Sequence, residues 1–479
     1  MLTLSFHGGA KMVTGANYLL EVDSPSNSSG QSTRILVDCG LHQGSNFCER
    51  HNWEPFPYDP KTIDAVFVTH AHIDHTGRLP KLVKDGFRGK VYSNPATRDA
   101  AELLLYDSDH ILSQEAEKFK KPRLYDERDV AQLMELWEPV EYHAPVILGD
   151  KSKATRLAQA PAKRAGDKED GMTVTFYNAG HILGSSFLVV DAGKERIVFS
   201  GDLGNSPAPI IGAREEFSDG VTYAVIESTY GDRVHERSEE RKEMLEDAIE
   251  DVATAGGTLL IPAFAMERTQ ELLYELNDLV EHGRIPKMPV FIDSPLAIKL
   301  TEVYRRYERY FTKDIREEIK KHGTIFFFPG LTMTPTPAES KKINDVKPPK
   351  VVIAGSGMSH GGRILHHEKR YLQDPKSMLL IVGYQAHGSL GRMLLDGALS
   401  VRIMGEEIPV RCKVKAIGAY SAHADQPQLL EWLAPMRATL KKVFVVQGEE
   451  TAANALSEKI SDELAVHTHV PSEGEQVVL

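Results

Sequence analysis

Residues 66–80 read VFVTHAHIDHTGRLP. An apolar run, Val66 to Val68, gives way to Thr69, and His70, His72, Asp74 and His75 follow within six residues. Where the chain is still extended, residues two apart face one side, so His70, His72 and Asp74 project together. The period changes at His75, which signals the start of a helix and lets that imidazole face the same cavity from a different element. Loops at the ends of buried strands are where α/β proteins usually place their sites. Packing these four side chains together with no cation would bury acidic and basic groups at a large desolvation cost. Four ligands are one more than an open catalytic zinc takes from protein. Two metal ions account for the cluster, and the preponderance of imidazole favours zinc over magnesium.

Further ligands must come from other strand ends. His181 in NAGHILGSS and Asp202 in FSGDLGN meet that condition. A carboxylate can bridge two cations where an imidazole cannot, so Asp202 is the expected bridging ligand. Asp38 in LVDCG also ends a strand-like run. Its expected part is to accept a hydrogen bond from a ligand histidine and so fix the ring.

The chain around this cluster has 479 residues, beyond the size at which one hydrophobic core keeps growing, so two domains are expected. Hydrophobic residues make up 41% and charged residues 26%, the balance of a folded globular chain rather than a disordered one. The cysteines Cys39, Cys48 and Cys412 are odd in number and widely spaced, which suits a reducing compartment better than a disulfide framework. The N-terminus lacks a basic leader followed by an apolar core, and no run of about 18 apolar residues occurs, so the expectation is a cytoplasmic protein that does not meet the membrane. A net charge of -12 argues against coating nucleic acid by bulk attraction, while leaving room for a local basic groove.

Up to about residue 200 the sequence reads as short strands: LTLSF, NYLLEV, RILVDCG, AVFVTH, KVYSN, TVTFYNAG, SFLVVDAG and RIVFSGDLG. Runs such as Ala65 to Val68 and Ile197 to Phe199 have no polar alternation. That is expected of strands covered on both faces, in sheets lying between helices. The segment from Ala96 to Glu138 reads as helical, with a break near Lys121 and Pro122. From about residue 221 strand and helix alternate, the βαβ signature of a parallel sheet, and Gly256, Gly257 and Gly283 stand where helices should end. A second domain is therefore expected to begin near residue 213.

HAHIDH, with His181 in HILGSS and Asp202 in SGD, resembles the signature of the metallo-β-lactamase superfamily. Glu227 in IESTYG, His423 in YSAHAD and the α/β insertion between them resemble its β-CASP nucleases, which include the endonuclease subunit of the cleavage and polyadenylation specificity factor and ribonuclease J. The resemblance implies a four-layer αββα fold with an inserted α/β β-CASP cap domain, and with it the division 1–212, an inserted α/β domain at 213–413, and a C-terminal segment, 414–479, that completes the first domain. It also implies one zinc on His70, His72 and His181, a second on Asp74 and His75, and Asp202 on both. In RNA-acting members a histidine in an HGE motif completes the second zinc site; here VVQGEE places Gln447 there. Its neutral amide oxygen is a poorer zinc ligand than imidazole and leaves the filling of that site open.

The activity so implied is zinc-dependent hydrolysis of single-stranded RNA by metal-activated hydroxide attack, as an endonuclease and also from the 5′ end. Asp74 and Asp202 belong to the catalytic set with Glu227 and His423; His423, held as imidazolium by Glu227, is the expected proton donor to the departing sugar oxygen. AGSGMSHGGR and GYQAHGSLGR each follow an apolar strand and could cradle phosphate. Ser389 and Arg392, then Ser359 and Arg363, are the expected contacts, while His360, His366, His367 and His387 are expected nearby or at the surface. A DNA nuclease of the same branch and a weakly catalytic RNA-binding scaffold are the alternatives, Gln447 matching neither the RNA-type histidine nor the valine of DNA-type members. A homodimer is the family's expectation.

Overall fold

The computed structural model describes residues 2–23, 32–44, 49–148, 172–235, 240–383, 385 and 388–479. Cys48, His387 and most of the loop from Ser24 to Ser32 lie outside the described residues. The chain forms two compact units: Met1–Ala208 with Gly212–Val234 and His423–Leu479, and Pro209–Ile211 with His235–Ala422.

The first unit is built on two seven-stranded sheets. One runs in the order Gln476–Val478, Leu2–Phe6, Tyr18–Val22, Thr33–Val37, Ala65–Phe67, Lys90–Ser93 and Trp137–Pro139. The other runs Thr468–His469, Lys442–Val446, Tyr223–Glu227, Glu195–Phe199, Ser186–Ala192, Met172–Asn178 and Pro145–Leu148. Their inner faces share one core, in which Phe6 packs on Phe444 with ring centroids 5.4 Å apart and Phe67 on Phe176 at 6.0 Å. The period of two explains why whole strands are apolar. In Lys442–Val446, Phe444 and Val446 enter the core between the sheets, while Val443 and Val445 pack outward with Leu429, Trp432, Leu456 and Ile460 of two helices, Gln426–Leu433 and Glu450–Leu464. The first sheet carries its own helices, Leu79–Lys84, Pro95–Phe119 and Glu127–Leu136, so the layers run αββα. The helical stretch expected from Ala96 breaks at Lys120, whose φ of 52° is left-handed, and ends in the strand Trp137–Pro139.

This architecture gathers strand ends. Thr33–Val37 runs parallel to Ala65–Phe67, and Glu195–Phe199, Tyr223–Glu227 and Lys442–Val446 are parallel to one another. Asp38, His70, Asp202, Glu227 and Gln447 each lie at or just past the C-terminal end of one of these strands. Two glycines let the loops close on each other. A Cβ at Gly40 would fall 1.5 Å from the Asp74 carbonyl oxygen, and one at Gly204 would fall 1.8 Å from that of Gly180.

The second unit carries a six-stranded, wholly parallel sheet ordered Leu331–Met333, Val290–Asp293, Lys350–Ala354, Thr258–Pro262, Met378–Ile381 and Lys413–Ala416. Helix Glu240–Ala255 leads into Thr258–Pro262, the first of these strands in the chain, and Arg268–Glu281 joins that strand to Val290–Asp293; Gly256 and Gly283 follow the two helices with φ of 68° and 64°. These are left-handed turns, which glycine adopts without steric cost. No helix among the described residues is long and apolar enough to cross a membrane.

Candidate metal centre

Asp38 anchors the site from behind. Its backbone is left-handed at φ 59°, and its carboxylate accepts from the Thr69 amide and hydroxyl, each at 2.8 Å, and from His75 Nδ1 at 2.8 Å. Because the Thr69 hydroxyl proton goes to Asp38, its oxygen is left to accept from His70 Nδ1 at 3.1 Å. That fixes the proton on His70 Nδ1 and turns the lone pair of Nε2 forward.

Forward of Asp38, four ligand atoms converge. His72 Nδ1 lies 3.0 Å from His70 Nε2 and 3.3 Å from His181 Nε2. Asp202 Oδ2 lies 3.4 Å from His70 Nε2 and 3.6 Å from His181 Nε2. A tetrahedral zinc with bonds of about 2.0–2.1 Å separates its ligand atoms by about 3.3–3.4 Å. The set matches that spacing. Burial, with His75 nearby, holds His70 well below the usual imidazole range, and burial lowers His72 to about 4. Neutral rings are what a cation requires. Asp202 Oδ1 is buried without a hydrogen-bond partner among the described residues, the kind of orphan that a bound ion explains. The residues therefore fit a metal ion.

His75 and Asp74 stand beside this set. His75 Nε2 is 3.4 Å from Asp202 Oδ1 and 3.8 Å from Asp74 Oδ2. Burial opposes a charge on His75, yet Asp202, Asp38 and Asp74 outweigh it and raise its pKa well above the ordinary value, so with no ion present the ring itself carries the positive charge that these carboxylates draw. At the sequence level Gln447 offers an amide oxygen here. The structure turns the nitrogen instead: Gln447 Nε2 donates to the Val13 carbonyl at 2.8 Å and stands 3.1 Å from His75 Nε2, while Oε1 accepts from Tyr18 Oη at 3.4 Å.

Buried Glu227 and half-buried His423 form a pair at the rim of the cluster. His423 Nδ1 lies 3.1 and 3.3 Å from the two Glu227 oxygens and 3.9 Å from Asp202 Oδ2, and Glu227 Oε1 also accepts from the Leu203 amide at 2.5 Å. Both carboxylate oxygens are thus engaged in hydrogen bonds, and with Asp202 the pair brings three ligand atoms within 4.8 Å of one another. Burial opposes charge on His423, but Glu227, Asp202 and Asp74 outweigh it and push its pKa up to about 9.

The four expected phosphate contacts all lie in the second unit and have partners inside it. Ser359 is buried and donates to Glu368 at 2.5 Å; buried Ser389 accepts from the Arg392 amide at 3.0 Å as a helix N-cap. Arg363 donates to Asp293 at 2.7 Å and to the Thr334 and Pro335 carbonyls. Arg392, part exposed, pairs with Asp396 at 2.9 Å. His367 is buried against Asp293 at 2.8 Å, and His360 and His366 are exposed. Sequence reasoning missed Thr69, Tyr18 and the Val13 carbonyl. A hydroxyl or a backbone oxygen that serves by position leaves no pattern.

Three family models match the chain: the metallo-beta-lactamase superfamily over residues 28–263, the Beta-Casp domain over 269–394, and a Zn-dependent metallo-hydrolase RNA specificity domain over 407–471. Ribonuclease TTHA0252 of Thermus thermophilus is 36% identical, over 95% of this chain and 95% of its own length. Transcription termination factor FttA of Methanosarcina mazei is 30% identical, over 98% of this chain and 71% of its own. An RNase J-like protein of Methanocaldococcus jannaschii is 28% identical, over 99% of both chains. A solved structure of a protein of unknown function from Enterococcus faecalis covers 100% of both chains at 12% identity with a TM-score of 0.52, a likeness of fold alone. The chain belongs to the metallo-β-lactamase superfamily, in its β-CASP branch. It is a metal-dependent hydrolase.

Proposed function

We propose that this chain is a zinc-dependent ribonuclease that hydrolyses phosphodiester bonds of single-stranded RNA, cutting internally and also from the 5′ end, in RNA processing or decay. The observation that carries the reading is the Glu227–His423 pair at 3.1 Å, set beside the convergent histidines. The ribonuclease and RNase J-like relatives and the match to an RNA specificity domain support the choice of RNA.

His70, His72, His181 and Asp202 would hold the zinc, and Asp74, His75 and Asp202 a second cation. Bound metal supplies Lewis acidity, lowering the pKa of a water and offsetting charge on the phosphate. The protein's own groups do the rest. Asp38 and Thr69 hold His75 and His70 in the tautomers that face the cluster. Glu227 keeps His423 protonated near neutral pH, and His423 passes that proton to the departing sugar oxygen. An acid of this kind suits loss of an alkoxide.

The test is cleavage of a labelled single-stranded RNA, with matched DNA, by the wild type and by Asp74→Ala and His423→Ala. Cleavage of RNA by the wild type, with both variants slowed ~10²-fold or more, is expected. Equal rates in all three proteins would end the reading, and preference for DNA would move it to the other nucleic acid.

A further inference from the structure

We infer that the two cation positions are unequal: the one on His70, His72, His181 and Asp202 keeps zinc, while the one on Asp74, His75 and Asp202 takes a harder, exchangeable divalent cation such as Mn2+, and Gln447 is the residue that makes it so. The inference rests on the metal-dependent reading above and deepens it.

The two donor sets differ in kind. The first offers three imidazole nitrogens and one carboxylate oxygen within 4.8 Å of one another. The second offers one imidazole nitrogen, His75 Nε2, and two carboxylate oxygens, Asp202 Oδ1 and Asp74 Oδ2, at 3.4 and 3.8 Å from it. Imidazole-rich sets suit zinc; sets of carboxylate and solvent suit manganese and magnesium.

A fourth strong donor would shift the second position toward zinc, and Gln447 is placed where one would stand. Its amide is turned the wrong way and is held there. Nε2 donates to the Val13 carbonyl at 2.8 Å, so turning the amide over would set its oxygen against another oxygen at that distance. The backbone cannot shift to relieve this. The Gln447 amide donates to the Gly9 carbonyl at 2.7 Å, and its own carbonyl accepts from the Ser228 amide and the Thr229 hydroxyl, each at 3.1 Å. The side chain also fills the space over Gly9, where a Cβ would lie 2.2 Å from Oε1. An –NH2 group has no lone pair to give a cation. The second position therefore has at most three protein donors, His75 Nε2, Asp202 Oδ1 and Asp74 Oδ2, and Asp202 Oδ1 is buried without a hydrogen-bond partner among the described residues.

The experiment is metal stoichiometry, read without any assay of cleavage. The full-length protein is dialysed against a mild chelator and analysed for zinc, then titrated with Mn2+ while the electron paramagnetic resonance signal of free Mn2+ is followed. One zinc retained per chain, with one further Mn2+ bound reversibly, is expected. Asp74→Asn should keep the zinc and lose the Mn2+; Gln447→His, which restores a fourth donor, should retain two zincs. Two zincs retained by the wild type, or one zinc with no Mn2+ bound, would overturn the inference. These wild-type readings stand even if a variant fails to fold. The expected stoichiometry without RNA cleavage would sink the substrate assignment alone; no metal bound at all would sink both.

Discussion

His423 Nδ1 lies 3.1 Å from Glu227 Oε2, the two residues 196 positions apart in the chain. Glu227 ends a strand of the second sheet, and His423 is bridged to Gly204, two residues past Asp202. His423 is thus tied to the loop that carries Asp202.

That relationship fixes a pH dependence. His423 is pushed up to about 9, so it is charged at neutral pH and loses its proton as pH rises through that value. Activity of the wild type should therefore fall on the alkaline side near pH 9. Glu227→Gln removes the leading carboxylate that opposes the effect of burial, so the fall should move to lower pH, by ~1 unit or more. A rate profile with the same alkaline limb in both proteins would show that His423 is not the acid.

Asp38 orients two histidines through one carboxylate. Asp38→Asn keeps the shape and removes the charge, and apparent zinc affinity should drop ~10–100-fold, read by competition with a chromogenic chelator. Unchanged affinity would mean that the ring orientations do not depend on this contact.

In the second unit, Glu368 is buried with one oxygen held by Ser359 and the other without a hydrogen-bond partner among the described residues, and burial pushes its pKa up from 4.5 to about 8. The native state favours the protonated form more than the unfolded chain does. Its contribution to stability is complete below pH 4.5 and is lost as pH rises through about 8. Glu368→Gln should melt a few degrees above the wild type near pH 8 and at the same temperature near pH 4.5. A melting difference that does not vary with pH would contradict this.

Much of the fold could be read because its strands are buried on both faces: Ile197–Phe199 and Ala65–Val68 are unbroken apolar runs, and each is buried throughout. The strands Trp137–Pro139 and Pro145–Leu148 were not legible, being too short to show a period and each containing proline. At the site, His70, His72, Asp74 and His75 announce themselves by spacing, and His181 and Asp202 by standing where strands end. Which way the Gln447 amide points depends on the Val13 carbonyl, 434 residues away, and no side-chain pattern encodes that. The glycine- and serine-rich segment at Ser359 and Arg363 looks from sequence like a phosphate cradle. Folded, Ser359 serves Glu368 and Arg363 serves Asp293, because polar groups covered by a parallel sheet must find partners within it.

The most direct measurement is an anomalous difference map collected at the zinc edge from crystals of the purified protein. A peak should stand within bonding distance, about 2.0–2.2 Å, of His70 Nε2, His72 Nδ1, His181 Nε2 and Asp202 Oδ2 together. Crystals of zinc-supplemented protein with no peak among those four atoms would contradict the claim that this cluster is a metal centre.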